Sequence, residues 1–409
     1  MLALSGELPL RQRPYRLAPM KPLNPTFAGL GTTIFTTMSA LAAEHGAINL
    51  GQGFPDEDGP ADILEQAASA LLTGPNQYPP MAGLPELRRA VADHDQRFYG
   101  LSYDWRDEVL VTSGATEALA AALMALLAPG DEVVLFEPLY DSYIPVIRQC
   151  GAVPRIVRLE APEWHVPEEA LAAAFGPATK LVLINSPMNP TGKLFAESEL
   201  AAIATLAERH NAYLLCDEVY EHLVFDGQRH EPIATLPGMR ERTLRIGSAG
   251  KSFSLTGWKV GYVSGPRELV SVVAKAHQFL TFTTPPNLQR AVAYAFARDD
   301  AYFDGLAASL AAKRDRLAAG LTSVGFEVLP AEGTYFLTAL TNGVGPRFGS
   351  DVEYASWLTI EGGVATVPCS AFYAGNNPPQ NMIRFCFCKK DDVLDAAVAR
   401  LRTFLARAA

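Results

Sequence analysis

Between about residues 108 and 265, short runs of β-branched and other apolar residues alternate with Ala- and Leu-rich runs whose apolar positions recur every three to four residues. The first pattern predicts strands and the second amphipathic helices, and their alternation predicts a parallel sheet wrapped by helices. Strands are expected at 109–112, 132–136, 153–157, 180–185, 213–216, 244–247 and 260–264, with helices at 115–128, 168–175 and 198–210. Turn formers such as Pro129-Gly130-Asp131 and Gly265-Pro266 close these elements. Helical patterns then run to 321, followed by separated strands at 326–329, 334–340, 364–367 and 383–388 and a final helix at 391–408. The expected fold is therefore α/β, a mostly parallel doubly wound sheet with a second, smaller α+β domain. The expected division is 1–60 (an N-terminal arm and part of the small domain), 61–298 (the large domain) and 299–409 (the C-terminal small domain).

Composition narrows the function. The formal charge is −10, which disfavours nucleic acid or an anionic membrane as the main partner, since both reward a basic surface. An apolar share of 49% over 409 residues is enough for a large core without staples. The cysteines, Cys150, Cys216, Cys369, Cys386 and Cys388, are odd in number and contain no Cys-x-x-Cys pair, so a reducing cytoplasm is expected. The longest near-continuous apolar run, 118–128, is too short for a bilayer crossing. The first twenty residues, with Arg11, Arg13 and Arg16, lack a secretory pattern and read as a loose arm. His45, His94, His165, His210, His222, His230 and His277 are scattered without ligand spacing, so no metal is expected.

Chemistry concentrates at predicted strand ends. The segment from Ser248 to Gly261 holds Lys251, Lys259 and several hydroxyl and glycine residues. Gly250-Lys251-Ser252 resembles the tail of a phosphate-binding loop, but the leading glycine of that motif would fall at Arg245, so the motif fails. A lysine at a strand end has another use, condensing with an aldehyde to form a Schiff base; otherwise it is a solvated charge. Asp217 ends a buried run, where open α/β sheets bind ligands, and calls for a cationic partner unless it caps a helix or sits in a salt bridge. Ser113-Gly114-Ala115-Thr116 precedes a helix and could cradle a phosphate on its free N–H groups, or be a plain turn. Asn189 stands in a rigid Pro-Met-Asn-Pro turn. Arg384, inside the apolar strand 382–387, requires an anion, either a bound carboxylate or an internal acid.

In order, Gly53, Tyr78, Gly114, Tyr140, Asn189, Asp217, Tyr220, Ser248, Lys251, Lys259 and Arg384 resemble the signature of class I pyridoxal phosphate aminotransferases of fold type I. The segments Asn49-Leu50-Gly51-Gln52-Gly53-Phe54-Pro55-Asp56 and Ile383-Arg384-Phe385-Cys386-Phe387 are most similar to the branch of kynurenine, glutamine and methionine aminotransferases. The resemblance implies pyridoxal 5'-phosphate as cofactor, Lys251 as the Schiff-base lysine and proton carrier, and Asp217 on the pyridine nitrogen. It places Asn189 and Tyr220 on the ring hydroxyl, Tyr140 on the ring face, and Gly114, Ala115, Thr116, Ser248, Lys259 and Tyr78 around the phosphate. Arg384, Asn189 and Gly53 would grip the substrate carboxylate, and Phe35 and Phe282 would line the side-chain pocket, unless they are core. The tyrosine at position 78 would come from a second subunit, implying a homodimer with shared sites. Many aminotransferases carry arginine at the Lys259 position; this branch shares the lysine. The expected activity is ping-pong transfer of an amino group from a bulky uncharged amino acid to a 2-oxo acid. β-Elimination from cysteine conjugates on the same site is the alternative, and a non-enzymatic cofactor-binding regulator is disfavoured by the joint presence of Lys251, Asp217 and Arg384.

Overall fold

The computed structural model describes residues 21–408, so the expected arm at 1–20 lies outside the described residues. Pro25–Ala28 forms a single helical turn capped by Asn24. From Thr32 onward the chain is one compact unit. Its larger sheet has seven strands in the spatial order Val109–Thr112, Gly261–Ser264, Thr243–Ser248, Tyr213–Asp217, Thr179–Asn185, Glu132–Glu137 and Val153–Arg158. Only Gly261–Ser264 runs against its neighbours. The connection from Ser248 is too short for a crossover helix, and a short return forces antiparallel pairing.

Alternation along the strands explains why both faces are covered. Val133, Leu135, Leu181, Leu183, Leu215 and Ile246 pack under helices Ala115–Leu126 and Arg267–Leu280. Their neighbours Val134, Phe136, Val182, Ile184, Leu214 and Cys216 pack on the other side, under helix Glu197–Arg209. Successive side chains of a strand point to opposite faces, so continuous apolar runs are what a doubly covered sheet needs. The expected strands are all present within a residue or two, and the helix expected at 115–128 stops at Leu126.

The second sheet orders Val367–Pro368, Met382–Cys386, Phe336–Leu340 and Glu327–Val328, all antiparallel. Helices Asp300–Ser323, Asp351–Ile360 and Asp391–Ala408 share a core with it, built from Leu317, Leu321, Leu358, Leu394, Leu401, Leu337 and Phe385. The strand expected at 364–367 divides in two. Val364–Ala365 pairs with Ile48–Asn49, and Val367–Pro368 joins the four-stranded sheet. An apolar run reveals burial, but not that its two halves bond to different neighbours. Helices Ile34–His45, Ala61–Thr73 and Pro85–Tyr99 had no counterpart in the expected elements. The first is nonetheless well delimited, with Thr33 Oγ1 accepting from the Thr36 amide and Gly46 closing it in the left-handed region. Among the described residues no helix is long and apolar enough to cross a membrane.

One charged network lies wholly inside. Arg245 forms ion pairs with Asp95, with Glu218 at 2.6 Å and with Glu221 at 3.2 Å, and Tyr262 donates to Glu221 at 2.7 Å. Beside it His94 and His222, distant in sequence, bring their Nε2 atoms to 2.7 Å. Removing one partner of a buried ion pair leaves the others uncompensated, at about 3–5 kcal/mol. Arg245→Ala is therefore expected to destabilise the protein by that amount in urea unfolding; a loss below about 1 kcal/mol would contradict the network's structural role.

Candidate active site

Parallel strands end on a common side, and the carboxyl ends of Thr179–Asn185, Tyr213–Asp217 and Thr243–Ser248 open into one cavity of about 770 Å³. Every site residue expected from the sequence lines it except Tyr78 and Phe282. Strand register sets the inner wall. Asn185 pairs with Asp217, its Nδ2 donates to the Asp217 carbonyl at 2.9 Å, and its Oδ1 accepts from the Asn189 amide at 2.8 Å. The rigid turn is thus tied to the strand that carries the acid.

Asp217 is buried, and its Oδ2 accepts from the Tyr143 hydroxyl at 2.6 Å, while Oδ1 has no hydrogen-bond partner. Burial pushes the carboxyl up to about 6, with Tyr143 and the nearby Val219 amide opposing the rise. Among the described residues it forms no salt bridge and caps no helix, so a residue that lines the cavity keeps one buried oxygen without a hydrogen-bond partner. Lys251 sits in the short helix Ala249–Ser252, directly after the strand that ends at Ser248. Its Nζ donates to the Tyr335 hydroxyl at 2.5 Å, and burial lowers the amine to about 8.

Arg384 is fully buried. Its Nη1 donates to Asn189 Oδ1 at 2.8 Å and its Nη2 to the Gly51 carbonyl at 2.9 Å, while Nε has no partner. The guanidinium lies 3.9 Å from the centre of the Phe336 ring, with Phe35 and Phe372 at 5.2 and 5.0 Å. The internal acid that was one reading of this arginine is not among these partners. A planar cation fixed by neutral oxygens and aromatic faces keeps its charge available for an incoming carboxylate.

Opposite, Gly114 precedes helix Ala115–Leu126 with φ +80°, a conformation that costs glycine little. A Cβ there would stand 3.2 Å from Lys259 Nζ, and a Cβ at Gly261 would stand 2.7 Å from the Ala115 amide nitrogen. Both glycines therefore leave room for close approach at a helix start backed by a cation, the arrangement that binds phosphate. Ser248 and Thr116 border the same space, and Tyr140 forms a wall against Tyr143. Gly53 is fixed by the Tyr335 hydroxyl, which donates to its carbonyl at 2.6 Å.

Tyr78 and Phe282 are placed elsewhere. They meet edge to face at 5.3 Å, and Tyr78 is 82% exposed. The residues that sequence reasoning passed over are Tyr143, Asn185, Tyr335 and Phe336. Tyr143 was findable, three residues beyond Tyr140 in Tyr-Asp-Ser-Tyr; Tyr335 was not, because its contact with Lys251 depends on how the second sheet meets the first.

The comparisons agree with this geometry. Residues 45–401 match the family model described as aminotransferase class I and II. A Mycobacterium tuberculosis protein named a probable N-succinyldiaminopimelate aminotransferase is 48% identical over 388 residues, covering 92% of this chain and 97% of its own. Escherichia coli methionine aminotransferase is 42% identical over 374 residues, covering 91% and 96%. The solved structure of N-succinyldiaminopimelate aminotransferase from M. tuberculosis superposes with a TM-score of 0.90 at 47% identity, over 94% of this chain and all of that one. With this match over most of its length, the chain belongs to the class I and II aminotransferases, of fold type I, enzymes that use pyridoxal phosphate to move amino groups between amino acids and 2-oxo acids.

Proposed function

We propose that this aminotransferase takes its amino group from a bulky uncharged amino acid of the methionine, glutamine, aromatic or kynurenine type. One observation carries the reading: beyond Arg384 the cavity is bounded by Phe35, Phe54 and Ala40, and among the described residues its cations are Lys251, Lys259 and Arg384 alone. Arg384 is suited to the α-carboxylate and Lys259 to a phosphate, so a donor with further carboxylates meets no charge of its own. N-succinyldiaminopimelate, named for the M. tuberculosis relative, is the second reading, favoured by the 48% identity.

The residues fit the cofactor. Asp217 Oδ1, buried and unpartnered, suits a protonated ring nitrogen; the Gly114–Thr116 segment, Ser248 and Lys259 suit the phosphate. When bound, pyridoxal phosphate supplies an aldehyde for amine attack and a ring that withdraws electrons from the substrate's Cα. Lys251 would hold the cofactor through its amine and, when free, would carry the substrate's Cα proton. Asp217 would keep the ring nitrogen protonated, Tyr140 would cover the ring face, and Asn189 and Tyr220 would hold the ring hydroxyl. Arg384 and Asn189 would fix the substrate's carboxylate, and a Cα–H bond held perpendicular to the ring would favour transamination.

The dimer belongs to the same proposal. Tyr78 and Phe282 lie on the surface, and the exposed Leu72 and Phe279 come from the ends of helices Ala61–Thr73 and Arg267–Leu280. A second copy covering them would bring Tyr78 to its partner's phosphate site. The domain division at 60 and 298 is proposed likewise, supported by two separate sheets within 109–264 and 327–386.

Lys251→Ala is expected to abolish turnover. Asp217→Ala is expected to retain some cofactor while turnover falls by about 10²–10³, the rate equivalent of an unpaired buried ion; wild-type rates with cofactor bound would refute its role. Since the neutral amine is the nucleophile and its titration is lowered to about 8, uptake of pyridoxal phosphate by the apoprotein should slow about tenfold per pH unit below 8 and level off above it. Stopped-flow absorbance follows this, and a rate flat from pH 6 to 8 removes Lys251 from the assignment. Donor choice is tested by kcat/KM for the twenty amino acids, kynurenine and N-succinyldiaminopimelate. A tenfold preference for the succinylated diacid would overturn the first reading, and pyruvate and ammonia released from a cysteine conjugate without any 2-oxo acid, at rates matching transamination, would replace transfer with elimination.

A further inference from the structure

Tyr335 connects two atoms of the site. Lys251 Nζ lies 2.5 Å from its hydroxyl on one side, and the Gly53 carbonyl lies 2.6 Å from it on the other. A phenol has one proton to give, and a carbonyl has none. The Tyr220 hydroxyl also bonds Tyr335, but it can donate whereas the Gly53 carbonyl can only accept; the Tyr335 proton therefore goes to Gly53, and Tyr335 meets Lys251 with lone pairs only. A neutral amine carries two N–H groups and one lone pair. Bonding to Tyr335 engages an N–H and leaves the lone pair free; a tyrosine donating to Lys251 would have occupied it.

The arrangement is held firmly. Tyr335 is buried, packed edge to face against Tyr220 at 5.2 Å and Phe336 at 4.8 Å, so its ring cannot swing away. The acceptor that orients it belongs to the loop whose Gly51 carbonyl holds Arg384. We propose that Tyr335, oriented by the Gly53 carbonyl, is a positioning residue that holds the released Lys251 amine with its lone pair free to take the proton from the substrate's Cα. The inference rests on the role proposed for Lys251.

The test compares wild type with Tyr335→Phe, both as holoenzyme. In the donor half-reaction, followed by the cofactor's absorbance, the rate constant should fall about fivefold to tenfold, the worth of one hydrogen bond, and the Cα-deuterium isotope effect should rise. Tyr335 also bonds the Gly53 carbonyl beside the carboxylate anchor, so a rise in donor KM alone would report that bond, whereas a fall in the rate constant that exceeds any change in KM reports the lysine contact. A second readout is independent of turnover. In protein loaded with pyridoxamine phosphate, which leaves the lysine free, acylation of Lys251 is measured by peptide mass spectrometry against pH. Tyr335 accepts from the ammonium as well as the amine, so its loss should move the labelling midpoint down by about 0.7 of a pH unit. The other groups acting on Lys251, namely Cys388, Cys386, Asp217 and Arg384, are unaltered in the variant. An unmoved midpoint, with either wild-type kinetics or a rise in KM alone, would reduce Tyr335 to packing and overturn the inference. Should the variant fail to fold, 3-fluorotyrosine at 335, a weaker acceptor of nearly the same shape, should shift the midpoint the same way by less; no shift overturns the inference equally. Borohydride fixation separates the two levels: wild type without cofactor fixed on Lys251 sinks the role of Lys251, whereas fixation with an indifferent Tyr335→Phe sinks only Tyr335.

Discussion

An acid, an amine and a guanidinium share one buried cavity without pairing with each other, and that constraint governs the rest of the site. An ionised group taken out of water costs several kcal/mol unless something replaces its hydration. Each group escapes differently. Asp217 drifts toward neutrality, with Tyr143 supporting one oxygen. Lys251 gives up part of its tendency to hold a proton. Arg384, which stays charged, leans on two neutral oxygens and an aromatic face. None of these substitutes is a full counter-charge, so each group retains an unmet demand that a ligand of opposite polarity can satisfy.

The contrast with the next residue makes the point sharper. Asp217 and Glu218 are consecutive carboxylates, and the two-residue period sends them to opposite sides. Glu218 meets Arg245 at 2.6 Å within a network in which Arg245 also pairs with Asp95 and Glu221. Asp217 has no cation in reach of its Oδ1. The end of one strand thus presents one acid that is finished by the fold and, just before it, one that is not. A sequence shows both as Asp-Glu; only the position of Arg245, one strand over, tells them apart.

That difference indicates what could be read in advance. Strand ends are legible because apolar runs stop abruptly at polar residues, which puts Asp217, Asn189, Ser248 and Lys251 on one side of a sheet from the sequence alone. Arg384 was legible because an arginine inside an apolar strand needs an anion. The three helices before residue 100 were passed over, although Thr33 and Gly46 delimit the first of them. Contacts set by tertiary packing left no trace in spacing: the approach of His94 to His222, the split of 364–367 between two sheets, and the meeting of Tyr335 with Lys251.

The division of labour between the sheets follows from the same register. Lys251, Asp217 and Asn189 follow or end strands of the seven-stranded sheet, whereas Arg384 lies on a strand paired antiparallel with Phe336–Leu340, directly beyond Tyr335. The Leu50 carbonyl accepts from the Cys386 amide at 2.7 Å, which ties the loop carrying Gly51 and Gly53 to that strand. Arg384, the loop and Tyr335 are thus tied to the four-stranded sheet, and Asp217 and Lys251 to the seven-stranded one. The bond from Arg384 to Asn189 and the bond from Lys251 to Tyr335 are two of the links between those sheets, and both border the same cavity. A ligand held between Arg384 and Asn189 therefore bears on the alignment of both sheets, so binding on one wall of the cavity acts on the geometry of the other.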